Sequence, residues 1–581
     1  MGAATVETTS LSRLARVEKW IPGLRALRTY KRAWLPRDLV AGIVLCALLV
    51  PQGMAYAELA GLPAITGLYT TVVCLIAYAA FGPSPYLVLG PDSSLSPMIA
   101  AVILPLAAGN TEYAVTLAGM LALMVGLICI GAGIAHLGFV SDLLSKPVRV
   151  GYLAGLAITI FIGQLPDLFG FSIEGGNVIQ DTLGFLSNLD QTNIYTLGVG
   201  LLCLVTILGL KRWVPRAPGI LIAVVAAIAV TVLFDLAAKG VDVVGVLPQG
   251  FPRPSFPAVD LSDLAPLAGA AFGITLVALG DTISTSSGFA AKSGYDVDSD
   301  QEMVGIGAAN FLTGFFQGFP ISSSSSRTAV AEQSGAKSQL TGVVAAALVL
   351  VMLLFAPGLV RNLPQSALAA IIIVASISLF DTLALRHLWK VQKSEFAIAI
   401  ACILGVTLVG VLEGIVIAVI FSILQFFQRS WQPYSAVLGK PEGVPGYHDL
   451  KRYPDASQIS GLLMIRWDAP IFFANANVFR KLVRGLIAQT DPKPFWVLVA
   501  AEPITDVDIT AAEMLVDLDE ELNAVGIHLI FAELKDPVRD KIERYGLHET
   551  IDRRHFYHTI EVAVEEFYLE NHPEDQPHAS E

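Results

Sequence analysis

Residues 86–108 read YLVLGPDSSLSPMIAAVILPLAA, and residues 320–335 read PISSSSSRTAVAEQSG. In the first, Gly90-Pro91-Asp92-Ser93-Ser94 precedes the apolar part; in the second, a run of serines ends in Ser325, Ser326 and Arg327. Backbone that leaves the helix at membrane depth finds no water to satisfy it, so such stretches belong against protein or a wet cavity, never against lipid. A lone Gly-Pro or Pro would only kink a helix. Two matched breaks, each carrying a hydroxyl cluster, read instead as paired half-helices. Half-helices whose N-termini meet near the midplane turn free N–H groups and two dipole ends toward an anion.

The remainder of the chain supplies the membrane. Its 581 residues are 54% hydrophobic and only 15% charged, with mean hydropathy +0.63, whereas a soluble globule carries about a quarter charged residues. Apolar windows suited to about 30 Å of hydrocarbon fall near 38–58, 63–81, 113–135, 147–169, 193–210, 217–236, 265–290, 302–319, 338–356, 366–381, 395–411 and 413–428. With the two broken segments this gives about fourteen crossings, the breaks standing third and tenth. Seven places apart, they predict an inverted repeat of seven plus seven spans.

Basic residues set the orientation, because short cytoplasmic loops collect them. With the N-terminus inside, the inner loops hold Lys146, Arg149, Lys211, Arg212, Arg216, Lys292, Arg386, Lys390 and Lys393, against Lys239, Arg253 and Arg361 outside. Both termini are then cytoplasmic. Residues 1–37, with Arg13, Arg16, Lys19, Arg25, Arg28, Lys31, Arg32 and Arg37, form a basic arm without the apolar core and cleavage site of a signal peptide.

The acidity sits at the other end. Residues 441–581 contain 26 acidic and 13 basic residues, a net −13 that equals the whole chain, so residues 1–440 balance. Apolar runs such as FWVLV at 495–499 and IHLIF at 527–531 are foreign to a disordered acidic tail, so this one folds. Runs at 459–466, 471–473, 494–500 and 526–532 alternate with helical patterns at 475–489, 509–525, 535–545 and 557–570, which predicts a small α/β unit. The Gly- and Pro-rich residues 431–457 read as a linker, 458–570 as the domain and 571–581 as an acidic tail.

Several functions are excluded. The negative balance gives nucleic acid no footing. Cys46, Cys74, Cys129, Cys203 and Cys402 lie in apolar stretches and suit neither disulfides nor a metal cluster. No phosphate-binding glycine loop, paired-histidine metal motif or nucleophile elbow occurs, so no enzyme, catalytic residue, metal site or cofactor is expected. His136, in a span, reads as a helix-packing residue.

Ionisable residues inside spans cost about 2.5–3.5 kcal/mol each at a helix centre, and they are Glu58, Asp92, Asp281, Arg327, Glu332 and Glu413. Glu58 lies near a helix end and Glu413 at a tight outer turn. Asp281 stands mid-span with Thr285 one turn on, so a carboxylate and a hydroxyl share a face suited to a proton or Na⁺. Arg327 heads the second half-helix beside Ser325 and Ser326, where an oxyanion is favoured; a salt bridge to Asp92 or Asp281 is the other reading, and both can hold. An acid near an anion site repels its ligand unless protonated or cation-paired, which points to coupled entry of anion and cation.

These residues resemble the SulP anion permeases, the sulfate transporters and their bicarbonate- and dicarboxylate-carrying relatives. The resemblance rests on PQGMAYA at 51–57, LAGLP at 59–63, GLY at 67–69, Gly90-Pro91, Ala309-Asn310, GFF at 314–316, GFP at 318–320 and SRTAV at 326–330, and it spans nearly the whole chain. The tail resembles a STAS domain, with ITDVDITAA at 504–512 entering its second helix. The resemblance implies a transport domain over 38–430 of two intertwined repeats, a mobile core and a gate, moving elevator-like in a homodimer. It implies an anion pocket lined by Gln52 and Tyr56 on the first span, Asp92 with Ser93 after Gly90-Pro91, and Ser325, Ser326 and Arg327 on the tenth, with Asp281 where the family ties an acid to cation coupling. Asp92 departs from the apolar or aromatic residue of many relatives, which favours proton involvement. In anti-sigma relatives of the STAS fold a hydroxyl near this loop is phosphorylated, and Thr510 lies nearby, although an ordinary first-turn residue accounts for it. Asp506 and Asp508 read as helix caps rather than metal ligands.

The expectation is a multi-pass plasma-membrane secondary transporter of small oxyanions, sulfate before bicarbonate or a C4-dicarboxylate, coupled to H⁺ or Na⁺, with a cytoplasmic regulatory partner for the STAS domain. An uncoupled anion channel or exchanger and a nucleobase–cation symporter are the competing readings. The core acids argue against the channel. Arg327 with its serines, and the STAS tail, argue against the symporter.

Overall fold

The computed structural model describes residues 18, 20–137, 145–173, 178–214, 218–294, 296–546 and 555–571. Arg13, Arg16, Lys19 and Arg216, and the acidic tail after residue 571, lie outside the described residues. The chain divides into two compact units, Met1–Ser422 and Ile423–Glu581.

Among the described residues, fourteen segments follow one another in the order the apolar windows predict. The first seven are α1 (Leu35–Leu59), α2 (Ala64–Phe81), the broken segment β1 (Leu89–Gly90) with α3 (Ser96–Ala107), α4 (Thr111–Ile134), α5 (Lys146–Gly163), α6 (Ile194–Trp213) and α7 (Gly219–Leu233). The second seven are α8 (Leu264–Ser293), α9 (Ser299–Gly314), the broken segment β2 (Ser322–Ser323) with α10 (Ser325–Gln333), α11 (Leu340–Phe355), α12 (Gln365–Leu379), α13 (Lys393–Leu404) and α14 (Val411–Trp431). Among the described residues, seven stretches, including those around α1, α4 and α8, are long and apolar enough to cross a membrane on their own. The half-helices are not, and they depend on protein around them.

Packing repeats with the sequence. Helix α4 lies on α9 as α11 lies on α2; α1 meets α11 as α8 meets α4; α5 meets α13 as α12 meets α6. Each pair maps onto the other when every span is exchanged for the one seven places away, the mark of an inverted repeat. The same contacts sort the spans into two groups. Helices α1–α4 and α8–α11 pack together, and α5–α7 with α12 and α13 pack together. Small residues bring the first group close: a Cβ on Gly67 of α2 would stand 1.9 Å from the Gly53 carbonyl oxygen of α1.

Three local readings change. Val178–Ser187 and Thr382–Val391 are helices that the apolar windows pass over, being short and amphipathic. His136 lies past the end of α4, exposed and at φ 55°, and its Nδ1 sits 2.6 Å from Asp300 Oδ2, so it pairs helix ends rather than packing within a span. Two fully buried acids escaped the sequence reading. Asp38 accepts from Lys337 N at 2.7 Å and Ser338 Oγ at 2.8 Å, tying the start of α1 to that of α11, and Glu302 accepts from Tyr78 Oη at 2.6 Å and from Ser84. Glu332 pairs with Lys292 at 2.7 Å, while Glu58 and Glu413 lie at helix ends.

In the second unit a six-stranded sheet runs in the order β4–β3–β5–β6–β7–β8, from β3 (Ser435–Gly439), β4 (His448–Asp449), β5 (Leu462–Trp467), β6 (Trp496–Ala500), β7 (His528–Ala532) and β8 (Phe556–Tyr557). Strands β5 to β8 are parallel, joined by α15 (Ala476–Gln489), α16 (Ile509–Asn523) and α17 (Asp536–Arg544), and α18 (Ile560–Asn571) follows. Alternation serves both faces: Leu463, Ile465, Val497 and Val499 pack with Phe479 and Leu515, while Leu462, Met464 and Leu498 pack with Phe567. Two expectations fail here. The stretch read as a linker contributes β3 and β4, antiparallel to their neighbours and with β4 at the sheet's edge, hidden by the Gly and Pro residues around them. Residues 471–473 form no strand; Ile471 makes one bridge to Val507, and the chain then turns into α15. Asp508 caps α16 through Ala511 N at 2.8 Å with Thr510 exposed on its first turn, but Asp506 is no cap: it pairs with Lys541 at 2.5 Å.

Candidate functional site

The two breaks meet. Leu89 pairs with Ser323 and Gly90 with Ser322 in an antiparallel bridge, so α3 and α10 begin side by side and run in opposite directions. The extended backbone is satisfied by nearby groups, as burial demands. Val88 N donates to Thr328 Oγ1 at 3.1 Å, and the Asn310 amide clamps Ile321 at both N and O, at 2.8 and 3.2 Å.

Arg327 fastens one break to the other. Its guanidinium, 1% exposed, donates to the Pro91 carbonyl and to Gly90 O at 3.4 Å, and its Nη2 lies 3.7 Å from Asp92 Oδ1. Gly90 leaves the room for this: a Cβ there would stand 3.3 Å from Arg327 Nη1. The salt bridge to Asp92 that the sequence left open is therefore made, and Arg327 stands behind the wall of the cavity rather than on it.

That cavity, of about 670 Å³, runs from the breaks toward Lys146 and Lys211. Gln52, Tyr56, Asp92, Ser93, Asp281, Thr285, Ser325 and Ser326 all line it; of the anion- and cation-site residues expected from the sequence, Arg327 does not. Thr285 Oγ1 and Ser325 Oγ are 2.9 Å apart, joining α8 to the head of α10. Gln52 Oε1 and Arg327 Nε are buried without a hydrogen-bond partner. Gln52 Oε1, on the cavity lining, marks a place where water or a ligand completes the bonding. The sequence reading missed Ser94, Arg149, Ser284 and Ser324, which also line the cavity. Ser284 is signalled by its place one turn after Asp281. Arg149, counted only as a loop charge, lies inside α5 and donates to Ser284 Oγ at 3.1 Å. Among the described residues no three His, Cys, Asp or Glu side chains gather as metal ligands.

Two carboxylates, two guanidiniums and a ring of hydroxyls around paired helix N-termini make a polar recess with positive charge held in its walls. Comparison with known proteins shows the chain's family. Residues 35–402 match the sulfate permease family. The chain belongs to that family. Residues 453–563 match the STAS domain. A probable sulfate transporter of Mycobacterium tuberculosis is 39% identical over 550 residues, covering 94% of this chain and 98% of its own. Sulfate transporter 4.1, chloroplastic, of Arabidopsis thaliana is 32% identical over 580 residues, covering 96% and 84%. The structure of the murine solute carrier 26 family member A9 anion transporter in its inward-facing state superposes with a TM-score of 0.89 at 26% identity, over 97% of this chain and 96% of that one. This sulfate permease family member is thus a polytopic membrane anion transporter with a seven-plus-seven inverted repeat and a C-terminal STAS domain, not an enzyme.

Proposed function

We propose that the protein is a secondary active transporter of small oxyanions, sulfate foremost, driven by co-entry of H⁺ or Na⁺. The observation that carries this is the antiparallel pairing of β1 with β2 at the head of the cavity, which turns two half-helix N-termini and the Arg327 charge toward one place. Ser93, Ser325, Ser326, Gln52 and Tyr56 supply donors for oxyanion oxygens. Asp281 and Thr285 on α8 serve the cation. The division of the spans into two packed groups that share the cavity supports an elevator-like motion of α1–α4 and α8–α11 against the rest. The relatives named sulfate transporters favour sulfate over bicarbonate or a C4-dicarboxylate. The protein works as a homodimer in the plasma membrane with both termini cytoplasmic, as the loop charges favour, and its STAS domain binds a cytoplasmic regulator.

Uptake of radiolabelled sulfate into proteoliposomes, with and without a pH or Na⁺ gradient, tests the reading. Accumulation above the external concentration is expected under one of the two gradients. Uptake indifferent to both would make the protein an uncoupled channel or exchanger and remove the coupling role of Asp281.

A further inference from the structure

Ser94 stands where one hydroxyl meets two acids. Its Oγ lies 2.6 Å from Asp92 Oδ2 and 3.2 Å from Asp281 Oδ2, and the residue is 1% exposed. A serine hydroxyl carries one hydrogen, and an ionised carboxylate only accepts. With both acids ionised, one of the two contacts would set lone pairs against each other with no hydrogen between. With one acid protonated, both become hydrogen bonds: the acid donates to Oγ, and Oγ donates to the other acid. The arrangement calls for one proton held within the trio.

The surroundings decide where it rests. Asp92 Oδ2 also accepts from Ser94 N at 3.0 Å, and Arg327 Nη2 is 3.7 Å from Oδ1, so two donors besides the hydroxyl already face Asp92. Asp281 has Arg149 as its cationic neighbour, and that guanidinium is engaged by Ser284. Two phenols, Tyr56 of α1 and Tyr152 of α5, also face the pair, and among the described residues Lys146, Lys211 and Asp381 line the same cavity. The resting proton therefore belongs to Asp281.

We propose that Ser94 relays this proton from Asp281 to Asp92, and that its arrival at Asp92 readies the anion site. The inference rests on the coupled-transport reading above. The hydrogen on the Asp281 carboxyl passes to Ser94 Oγ as the serine's own hydrogen passes to Asp92 Oδ2. One O–H bond breaks on Asp281, one forms on Asp92, and the hydroxyl is regenerated. No net charge is created; its position changes. A neutral Asp92 no longer cancels Arg327, whose field then reaches the cavity from behind the first break, where an oxyanion gains from it. Asp281, left ionised on the cavity lining, accepts the next proton from the cavity.

The test uses the full-length purified protein and measures sulfate affinity by thermal shift, together with proton-driven uptake, at acidic and neutral pH. The wild type is expected to bind more tightly at acidic pH. Ser94→Ala is expected to lose that gain, about tenfold if one unit of coupling is at stake, and Ser94→Thr, which keeps a hydroxyl, to restore it. Asp92→Asn, with no carboxylate left to cancel Arg327, is expected to bind at neutral pH as tightly as the wild type does at acidic pH. A Ser94→Ala protein with the wild-type pH profile overturns the relay and leaves coupled transport standing. A wild type indifferent to pH and to a proton gradient overturns proton coupling itself, and the relay with it. If Ser94→Ala does not fold, Asp92→Asn decides: an Asp92→Asn protein that still needs acid for tight binding overturns the proposal.

Discussion

The first and second breaks share a backbone and differ in chemistry. Each leaves the helix for two extended residues that pair with the other, and each then starts a half-helix. After the first stands an acid, Asp92; within the second stands a guanidinium, Arg327, behind a run of serines. The flanking long helices repeat the division, with an amide and a phenol on α1 and a carboxylate and a hydroxyl on α8. Duplication of an inverted unit supplies the geometry of an anion site twice over. Only divergence between the copies supplies a charge that can be cancelled and released.

Removing the guanidinium breaks this contrast most severely. Arg327→Ala is expected to bring sulfate uptake to background and to lower the unfolding midpoint as well, because Asp92 and two carbonyl oxygens lose their partner in a buried place. Stripping one member from a buried pair costs about 3–5 kcal/mol. Uptake and thermal unfolding measured on the same preparation separate the two effects. A variant of wild-type stability with no uptake would mean that Arg327 serves the anion alone and does not fasten the breaks. Asp281→Asn comes next: gradient-driven uptake should fall about tenfold, while stabilisation by sulfate at neutral pH survives. A loss of neutral-pH binding equal to the loss of uptake would place the acid of α8 in the anion site rather than in coupling.

How much of this could be read beforehand follows from what the solvent enforces. Lipid rejects unpaired backbone, so the breaks at 86–108 and 320–335, their seven-place spacing and the fourteen crossings were plain in the residues. Asp92, Asp281, Thr285, Ser325 and Ser326 were legible because charged and hydroxyl side chains at membrane depth need a purpose, whereas Gln52 and Tyr56 came only through the resemblance to the SulP permeases. Which face of α10 carries Arg327 was not legible, because Ser325, Ser326 and Arg327 are consecutive and point around a helix rather than along one side. Asp38 and Glu302 escaped because an acid in the first turn of a helix looks like an ordinary N-terminal residue, yet both are fully buried against another segment. In the second unit β3 and β4 were hidden by the Gly and Pro residues around them, and pairing with β5, remote in sequence, made the strand.

A third experiment protects the contrast from a confounder, for the second unit has a pH response of its own. Asp519 of α16 is 1% exposed, its Oδ1 lacks a hydrogen-bond partner, and burial pushes its pKa up to about 6. A carboxyl with a folded pKa above its unfolded value near 3.9 binds protons more readily when folded. Its stability contribution is present below about pH 4 and is lost as pH rises to about 6. Asp519→Asn should therefore raise the stability of this unit at neutral pH by about 3 kcal/mol, the gain vanishing in acid, as followed by thermal unfolding of the full chain. The pH profile of sulfate uptake should not move. If it does, proton sensing resides in the STAS domain, and the difference between the breaks is not its source.

The smallest effect tests the side of the site without an acid. Gln52 follows Pro51 in α1, lines the cavity, and keeps Oε1 buried with no partner. An unmet buried acceptor is costly, by about 1–3 kcal/mol, and its retention is reasonable only if the amide is completed by something that enters. Gln52→Leu removes the amide while keeping the bulk, so the fold should gain or hold stability while sulfate affinity drops about fivefold, close to 1 kcal/mol. The ratio of affinities at acidic and neutral pH should stay at its wild-type value, because no carboxylate has been touched. A Gln52→Leu protein that loses this ratio would put proton coupling on α1 as well as α8, and the division of labour between the two repeats would dissolve.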